Sequence, residues 1–279
     1  MKKNARIMTC VAIVCAVVLM FLAGVSHADC TIISALPATI SSPGNYCLTS
    51  NLSASLSQDA ITINADDVVI DLGGYEINNT SSISVNGIYT ADHSDITVRN
   101  GRITGTFNRA IYFYASAPSY TSRARSVIEN MSIKMDSITA GIDIKGKESI
   151  VRNNILAASS PVASIGIQAR GYGDKIENND VYNLSLEGIY VSFGNGTIVE
   201  NNKIGLESSV VGSMGIWLNA GIVNNKNVLV SGNRITNMDS GVSFDMGGTG
   251  KFRDNLTIGC NTSYQLNGGT GYVDAGNNN

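Results

Sequence analysis

Apolar and polar residues alternate along most of this chain in short runs, and the runs recur. An apolar residue, Asn or Gly two positions on, and an aliphatic five positions on recur at Leu72/Gly74/Ile77, Val98/Asn100/Ile103, Ile128/Asn130/Ile133, Val151/Asn153/Leu156, Ile176/Asn178/Val181, Val199/Asn201/Ile204 and Val230/Gly232/Ile235. Phe252/Asp254/Thr257 is a degenerate eighth copy. Between the copies lies a second element, a small residue followed by a β-branched one: Ala60-Ile61, Gly87-Ile88, Ala110-Ile111, Gly141-Ile142, Gly166-Ile167, Gly188-Ile189, Gly215-Ile216 and Gly241-Val242. Both ladders step by 22 to 31 residues and keep the same order. Self-similarity at that period marks a solenoid, in which a single repeat buries its apolar face only against its neighbours.

Within a repeat the period is two: Ile189 and Val191 point one way, Tyr190 and Ser192 the other. No stretch after the N-terminal leader keeps a helical period between turn residues. Three short strands per turn then predict an all-β, parallel β-helix of about eight coils, a rod core of roughly 38 Å at ~4.8 Å per coil. The Asn/Gly column has a physical reason. A sharp corner between the second and third strands needs positive φ, which Asn and Gly tolerate. Stacked Asn amides in this column are also expected to hydrogen-bond from coil to coil.

Composition narrows the class. The chain has 279 residues, 43% of them hydrophobic and 15% charged, with 29 Gly and 30 Asn, which excludes a disordered chain and a coiled coil. Lys2, Lys3 and Arg6, the apolar run from Ile7 to Val25, and Ser26-His27-Ala28 read as a secretory signal peptide over residues 1–28. An uncleaved anchor is the other reading of the same run. Without the leader, 16 of the 19 basic residues face 22 acidic ones, so the net charge moves from −3 to −6. A general preference for nucleic acid or an anionic membrane is therefore not expected. Cys30 and Cys47 are the natural disulfide in an oxidising compartment, and Cys260 is left as a small, buried hydrophobe. The expected divisions are a cap over 29–59, the β-helix over 60–262 and a tail over 263–279.

The two registered ladders resemble right-handed parallel β-helix repeat proteins of the pectate-lyase-like fold, of the secreted bacterial type. So does the opening Ser42-Pro43-Gly44-Asn45-Tyr46-Cys47-Leu48, followed by Ala60-Ile61-Thr62-Ile63 and Val68-Val69-Ile70-Asp71-Leu72-Gly73-Gly74. The resemblance covers about residues 30 to 260 and implies the fold. It is nearly silent on activity, since such proteins include lyases, polygalacturonases, epimerases, tailspikes and adhesins.

Alternation also predicts a surface. On the first strand of each coil, the residue after the β-branched member faces outward, giving a column of Thr62, Tyr89, Tyr112, Asp143, Gln168, Tyr190, Trp217 and Ser243. A second column, two residues on, runs Asn64, Ala91, Tyr114, Lys145, Arg170, Ser192, Asn219 and Asp245. Aromatic rings beside hydrogen-bonding and charged groups suit sugars, so a polysaccharide is the expected partner, bound by Tyr89, Tyr112, Tyr114, Tyr190, Trp217, Gln168 and Asp245. The bland reading is also open: Tyr is favoured in strands, neighbouring aromatics stabilise one another, and Asp143 with Arg170 is an ordinary ion pair. The connection from Tyr114 to Ser126, carrying Tyr120, Arg123 and Arg125, and that from Asn219 to Asn227 are long enough to wall a groove over these columns.

Catalysis on a uronic-acid polymer, by elimination or epimerisation, needs a base for the proton beside the carboxylate and a cation or metal to neutralise that carboxylate. Lys145 and Arg170 are the candidates for base or neutraliser, Asp143 and Asp245 for acid or metal ligand, and Tyr190 for proton donor. Calcium is compatible with these carboxylates, and nothing in the sequence requires a cofactor or metal. There is no Arg-x-Pro-x-x-Arg and no Gly-His-Gly with paired aspartates, and Asp92-His93-Ser94-Asp95 only loosely resembles the Asp-Pro-His-Asp of uronan epimerases. His93 and Asp66-Asp67 read as turn residues. A third class stays open, a structural or adhesive rod.

Overall fold

The computed structural model describes residues 30–116, 124–219, 225–245, 247–268 and 271–279. The leader expected over 1–28 lies outside them. The described chain winds into a parallel β-solenoid of about nine turns, with one ten-stranded sheet and one eighteen-stranded sheet formed by the other two strands of each turn. Among the described residues the only helical element is a 3-10 turn, Met135–Ser137. Coils are numbered here by their strand in the ten-stranded sheet: Ala38–Ile40, Ile61–Ile63, Val85–Ala91, Phe107–Tyr114, Ile138–Lys145, Ile165–Arg170, Glu187–Ser192, Met214–Asn219, Ser240–Asp245 and Thr262–Asn267 are coils 1 to 10. Coils 2 to 9 are the eight repeats of the sequence. Coils 1 and 10 add a strand at each end where the small/β-branched pair is missing.

The apolar ladders form the core. Ile61, Ile88, Ile111, Ile142, Ile167, Ile189, Ile216 and Val242 stack inside, all fully buried. The small residue before each has a steric cause. A Cβ built on Gly166 would lie 2.4 Å from the Gly188 carbonyl oxygen, and one on Gly215 would lie 2.5 Å from that of Gly241. The predicted corner is also present: Gly74, Asn100, Asn130, Asn153, Asn178, Asn201, Gly232 and Asp254 all have positive φ, between 55° and 84°.

Corner Asn amides bond from coil to coil at Asn130, whose Nδ2 donates to Asn100 Oδ1 at 3.2 Å, but the long amide ladder lies one position further along, which corrects the expectation that the corner column carries it. Asn154, Asn179, Asn202, Asn233 and Asn255 point inward and are buried. Each Nδ2 donates to the next Oδ1, at 3.0, 2.9, 3.0, 3.0 and 3.1 Å, the last to Asn278. Each also donates to a main-chain carbonyl of the preceding coil, as Asn202 does to Ile176. The corner reverses the pleat, so the residue after the positive-φ position, not the one at it, faces the interior.

Cys30 and Cys47 form a disulfide at the N-terminal end, and Cys260 is a half-buried free cysteine. Toward the C-terminus, Gly271–Asp274 pairs with Thr249–Arg253, and the Tyr272 ring packs 4.6 Å from Phe244. Residues expected as a tail thus include strands that extend both sheets.

Candidate functional site

The outer face of the ten-stranded sheet carries the two predicted columns. Thr62, Tyr89, Tyr112, Asp143, Gln168, Tyr190, Trp217 and Ser243 are register partners in unbroken succession. In the second column Ala91 pairs with Tyr114, and Lys145, Arg170, Ser192 and Asn219 pair in turn. Parallel pairing at this register brings rings on adjacent coils into contact. Tyr89 and Tyr112 lie 5.6 Å apart between centroids and Tyr190 meets Trp217 edge-on at 5.1 Å, while Tyr112 and Tyr114, two apart on one strand, lie 5.9 Å from each other.

Between the two aromatic groups sits a charged centre. The carboxylate of Asp143 is fully buried under two guanidiniums. Arg109 Nε donates to Oδ2 at 2.6 Å, while Arg170 Nη2 donates to Oδ1 and Oδ2 at 2.6 and 2.7 Å. Arg109 also stacks over Tyr112 at 4.2 Å, and the Lys145 ammonium lies over Tyr114 at 4.4 Å. An unpaired buried carboxylate is costly; the two guanidiniums bonded to Asp143 offset that cost, and it in turn fixes both guanidinium planes on the face. Because Asp143 is covered, it serves the face as the anchor of Arg109 and Arg170.

Toward the C-terminal end, Trp217 Nε1 donates to Asp245 Oδ2 at 3.1 Å, and Asn267 Nδ2 donates to Asp245 Oδ1 at 3.2 Å. These groups line a cavity of about 340 Å³ with Ser240, Ser243 and Gln265. Burial pushes the Tyr190 phenol above its ordinary value, opposed by a Ser192 hydrogen bond and the nearby Arg170 charge. Burial likewise raises the Glu187 carboxyl, whose Oε2 is enclosed without a hydrogen-bond partner.

Other expected residues lie elsewhere. Arg125 pairs with Asp95 at the corner leading into the second strand, and Tyr120 and Arg123 lie outside the described residues, as do the centres of both long connections. His93 Nδ1 is 3.2 Å from Asp66 Oδ1, in a turn where Asp67 and Asp92 have positive φ. Among the described residues no group of three or more His, Cys, Asp or Glu is placed to hold a metal ion. The alternation missed Arg109 and Glu187. Both stand just before the small residue of the ladder, and their register partners Asn86, Ala140, Ile165 and Met214 give that position no common chemistry.

Residues 140–279 match the family model for a right handed beta helix region, half of the chain. The chain belongs to the right-handed β-helix family. No curated protein matches this β-helix. Among solved structures it is similar to the tailspike protein of E. coli bacteriophage HK620 in complex with a pentasaccharide, studied as a point mutant, at 15% identity and a TM-score of 0.43 over 88% of this chain and 56% of the tailspike. It is also similar to the A-module of a mannuronan C-5 epimerase from Azotobacter vinelandii, at 13% identity and a TM-score of 0.43 over 91% and 87% of the two chains. The catalytic domain of a GH87 α-1,3-glucanase in complex with nigerose gives 13% identity and a TM-score of 0.35 over 92% and 70%. The β-helix spans little more than half of the tailspike's length, and likenesses at this identity concern the fold.

Proposed function

We propose that the β-helix binds a polysaccharide along the outer face of its ten-stranded sheet. The observation that carries this reading is the registered run of Tyr89, Tyr112, Tyr114, Tyr190 and Trp217 on that face, interrupted at its middle by Arg109, Lys145 and Arg170 around the buried Asp143. Rings offer apolar planes to pyranose faces, and Gln168, Asp245 and the guanidiniums supply the hydrogen-bonding partners that sugar hydroxyls need. In this reading the chain is secreted, with residues 1–28 as its leader, 29–59 as its cap and the rod following. The Cys30–Cys47 disulfide supports an oxidising compartment. No helix among the described residues is long and apolar enough to cross a membrane.

The test is affinity measurement of the secreted chain against a glycan panel. Wild type is expected to bind, and Trp217→Ala and Tyr190→Ala each to lose roughly tenfold or more, since truncating a central aromatic anchor commonly costs ~2 kcal/mol. Panel-wide absence of binding overturns the reading and leaves the structural or adhesive rod.

A second reading rests on Lys145 and Arg170 being direct register partners. A base beside a cation that neutralises a carboxylate is what elimination or epimerisation of a uronic acid needs. In this reading Lys145 takes the proton, Arg170 holds the sugar carboxylate and Asp143 positions Arg170; in elimination the bond to the glycosidic oxygen breaks and Tyr190 protonates that oxygen, and in epimerisation Tyr190 returns a proton to the opposite face of the same carbon. Accumulation of an ultraviolet-absorbing unsaturated sugar, abolished in Lys145→Ala, decides for the lyase form. Binding without product or epimerised residues decides against both forms.

A further inference from the structure

We propose, resting on the polysaccharide reading, that the ligand is an acidic heteroglycan whose anionic sugar is flanked by neutral ones, rather than a homopolymer charged at every residue. The signs of charge along the face carry this. At coils 2 and 3 Tyr89 lies in the field of Asp59 and Asp92. Coils 4 to 6 hold Arg109, Lys145 and Arg170 against the single carboxylate of Asp143, a local excess of cations in a chain whose net charge is negative. Arg170 Nε is buried without a hydrogen-bond partner, and the Lys145 ammonium, over the Tyr114 ring, lies within the field of Asp92 at the edge of the cationic segment. At coils 8 to 10 the sign reverses again: the cavity beside Trp217 is lined by Asp239 and Asp245 and by no Lys or Arg.

A glycan lying along the columns therefore meets one cationic segment between two acidic ones. An anionic substituent, carboxylate or sulfate, is stabilised over Arg170 and Lys145. Two coils on, about 10 Å at the usual strand spacing, the ring stacked on Trp217 faces Asp245. A second anion there would sit against a like charge, an arrangement that discriminates between partners. A hydroxyl at that place instead has Asp245 as acceptor and the Asn267 and Gln265 amides within the same cavity. Trp217 is then the neutral-sugar platform, and Arg170 with Lys145 the anion subsite.

The experiment is titration calorimetry of the secreted chain against polygalacturonate, a neutral β-glucan, and acidic heteroglycans such as hyaluronan and chondroitin sulfate. The best-binding heteroglycan is repeated after carboxyl reduction and after desulfation. The expected result is that a heteroglycan binds best and that one of the two treatments weakens it about tenfold, the treatment naming the anion. Lys145→Gln is expected to flatten the salt dependence of that binding. Asp245→Asn, which keeps an oxygen for the Trp217 N–H but removes the charge, is expected to raise polygalacturonate affinity about tenfold relative to that for the heteroglycan. Polygalacturonate or the neutral glucan binding as tightly as any heteroglycan, or no gain in Asp245→Asn, overturns the inference and leaves polysaccharide binding standing. No binding to any of these glycans overturns both.

Discussion

Asp174 is fully enclosed at the corner between coil 6 and its second strand, and only one of its oxygens has a partner, the Ser149 N–H at 3.0 Å. Burial pushes its carboxyl up to about 8, outweighing the lowering effect of that N–H. In the unfolded chain the same carboxyl ionises near 4. The folded state therefore binds the extra proton between about pH 4 and about pH 8, and Asp174's contribution to stability is full below that window and is lost as pH rises through it. Asp174→Asn is neutral throughout and keeps an acceptor for Ser149. Its melting temperature is expected to pull ahead of wild type progressively from about pH 5 to about pH 8, because only the wild type must then ionise a buried group or hold its proton against the solvent. Thermal melts of both proteins across that range check this, and a constant gap contradicts it. Asp174 lies outside the repeating ladders, and nothing in its neighbours in sequence announces its burial. The same holds for Asp143: alternation places it on the outer face, but its enclosure depends on Arg109 and Arg170 reaching over it from the coils on either side.

At the scale of the strand and its corner, two adjacent asparagines do different work, and a pair of substitutions separates them. Asn201 sits at φ 56°, a conformation glycine adopts more easily, so Asn201→Gly is expected to change stability by less than ~1 kcal/mol. Asn202 accepts from the Asn179 main-chain N–H and Nδ2 at 3.0 and 2.9 Å and donates to Asn233 and Ile176 at 3.0 Å. Asn202→Ala leaves several of these buried groups unpaired at ~1–3 kcal/mol each, so a loss of roughly 3 kcal/mol or more is expected. Denaturant titration of the two variants checks the contrast, and equal losses contradict it. The corner is legible in the sequence because positive φ is a local demand that only a few residue types meet. The ladder is legible too, in a different column. Where the corner residue changes to Gly232 or Asp254, the next residue remains Asn233 or Asn255. Repeated Asn-Asn pairs at 153–154, 178–179 and 201–202 conceal which member turns inward, and only the path of the corner decides it.

For the whole rod, stability is a sum of coils and of contacts between adjacent coils, so damage at one end should stay near that end. The ten-stranded sheet ends at Thr262–Asn267 and the eighteen-stranded sheet at Gly271–Asp274, and this end is packed by aromatic rings rather than by a repeat. Phe244 lies 4.9 Å from Phe252 and 4.6 Å from Tyr272, and Tyr264 stacks on Phe252 at 5.2 Å. The amide ladder finishes there as well, with Asn278 accepting from Asn255. The sequence hid this because coil 10 replaces the small/β-branched pair with Ser263-Tyr264, and its Gly- and Asn-rich surroundings carry turn chemistry rather than an apolar ladder. Tyr272→Ala removes a nearly buried ring from this cluster and is expected to cost about 3 kcal/mol, the usual scale for emptying an aromatic site. In hydrogen exchange the loss of protection should be concentrated in coils 8 to 10 and fade by coil 6. Glycan contact should divide in the same way, with the Trp217 cavity weakened and the Arg109, Lys145 and Arg170 segment retained, because the latter rests on coils 4 to 6. A variant that loses protection evenly along the rod would show instead that the coils unfold as one unit, coupled more tightly than nearest-neighbour contacts provide.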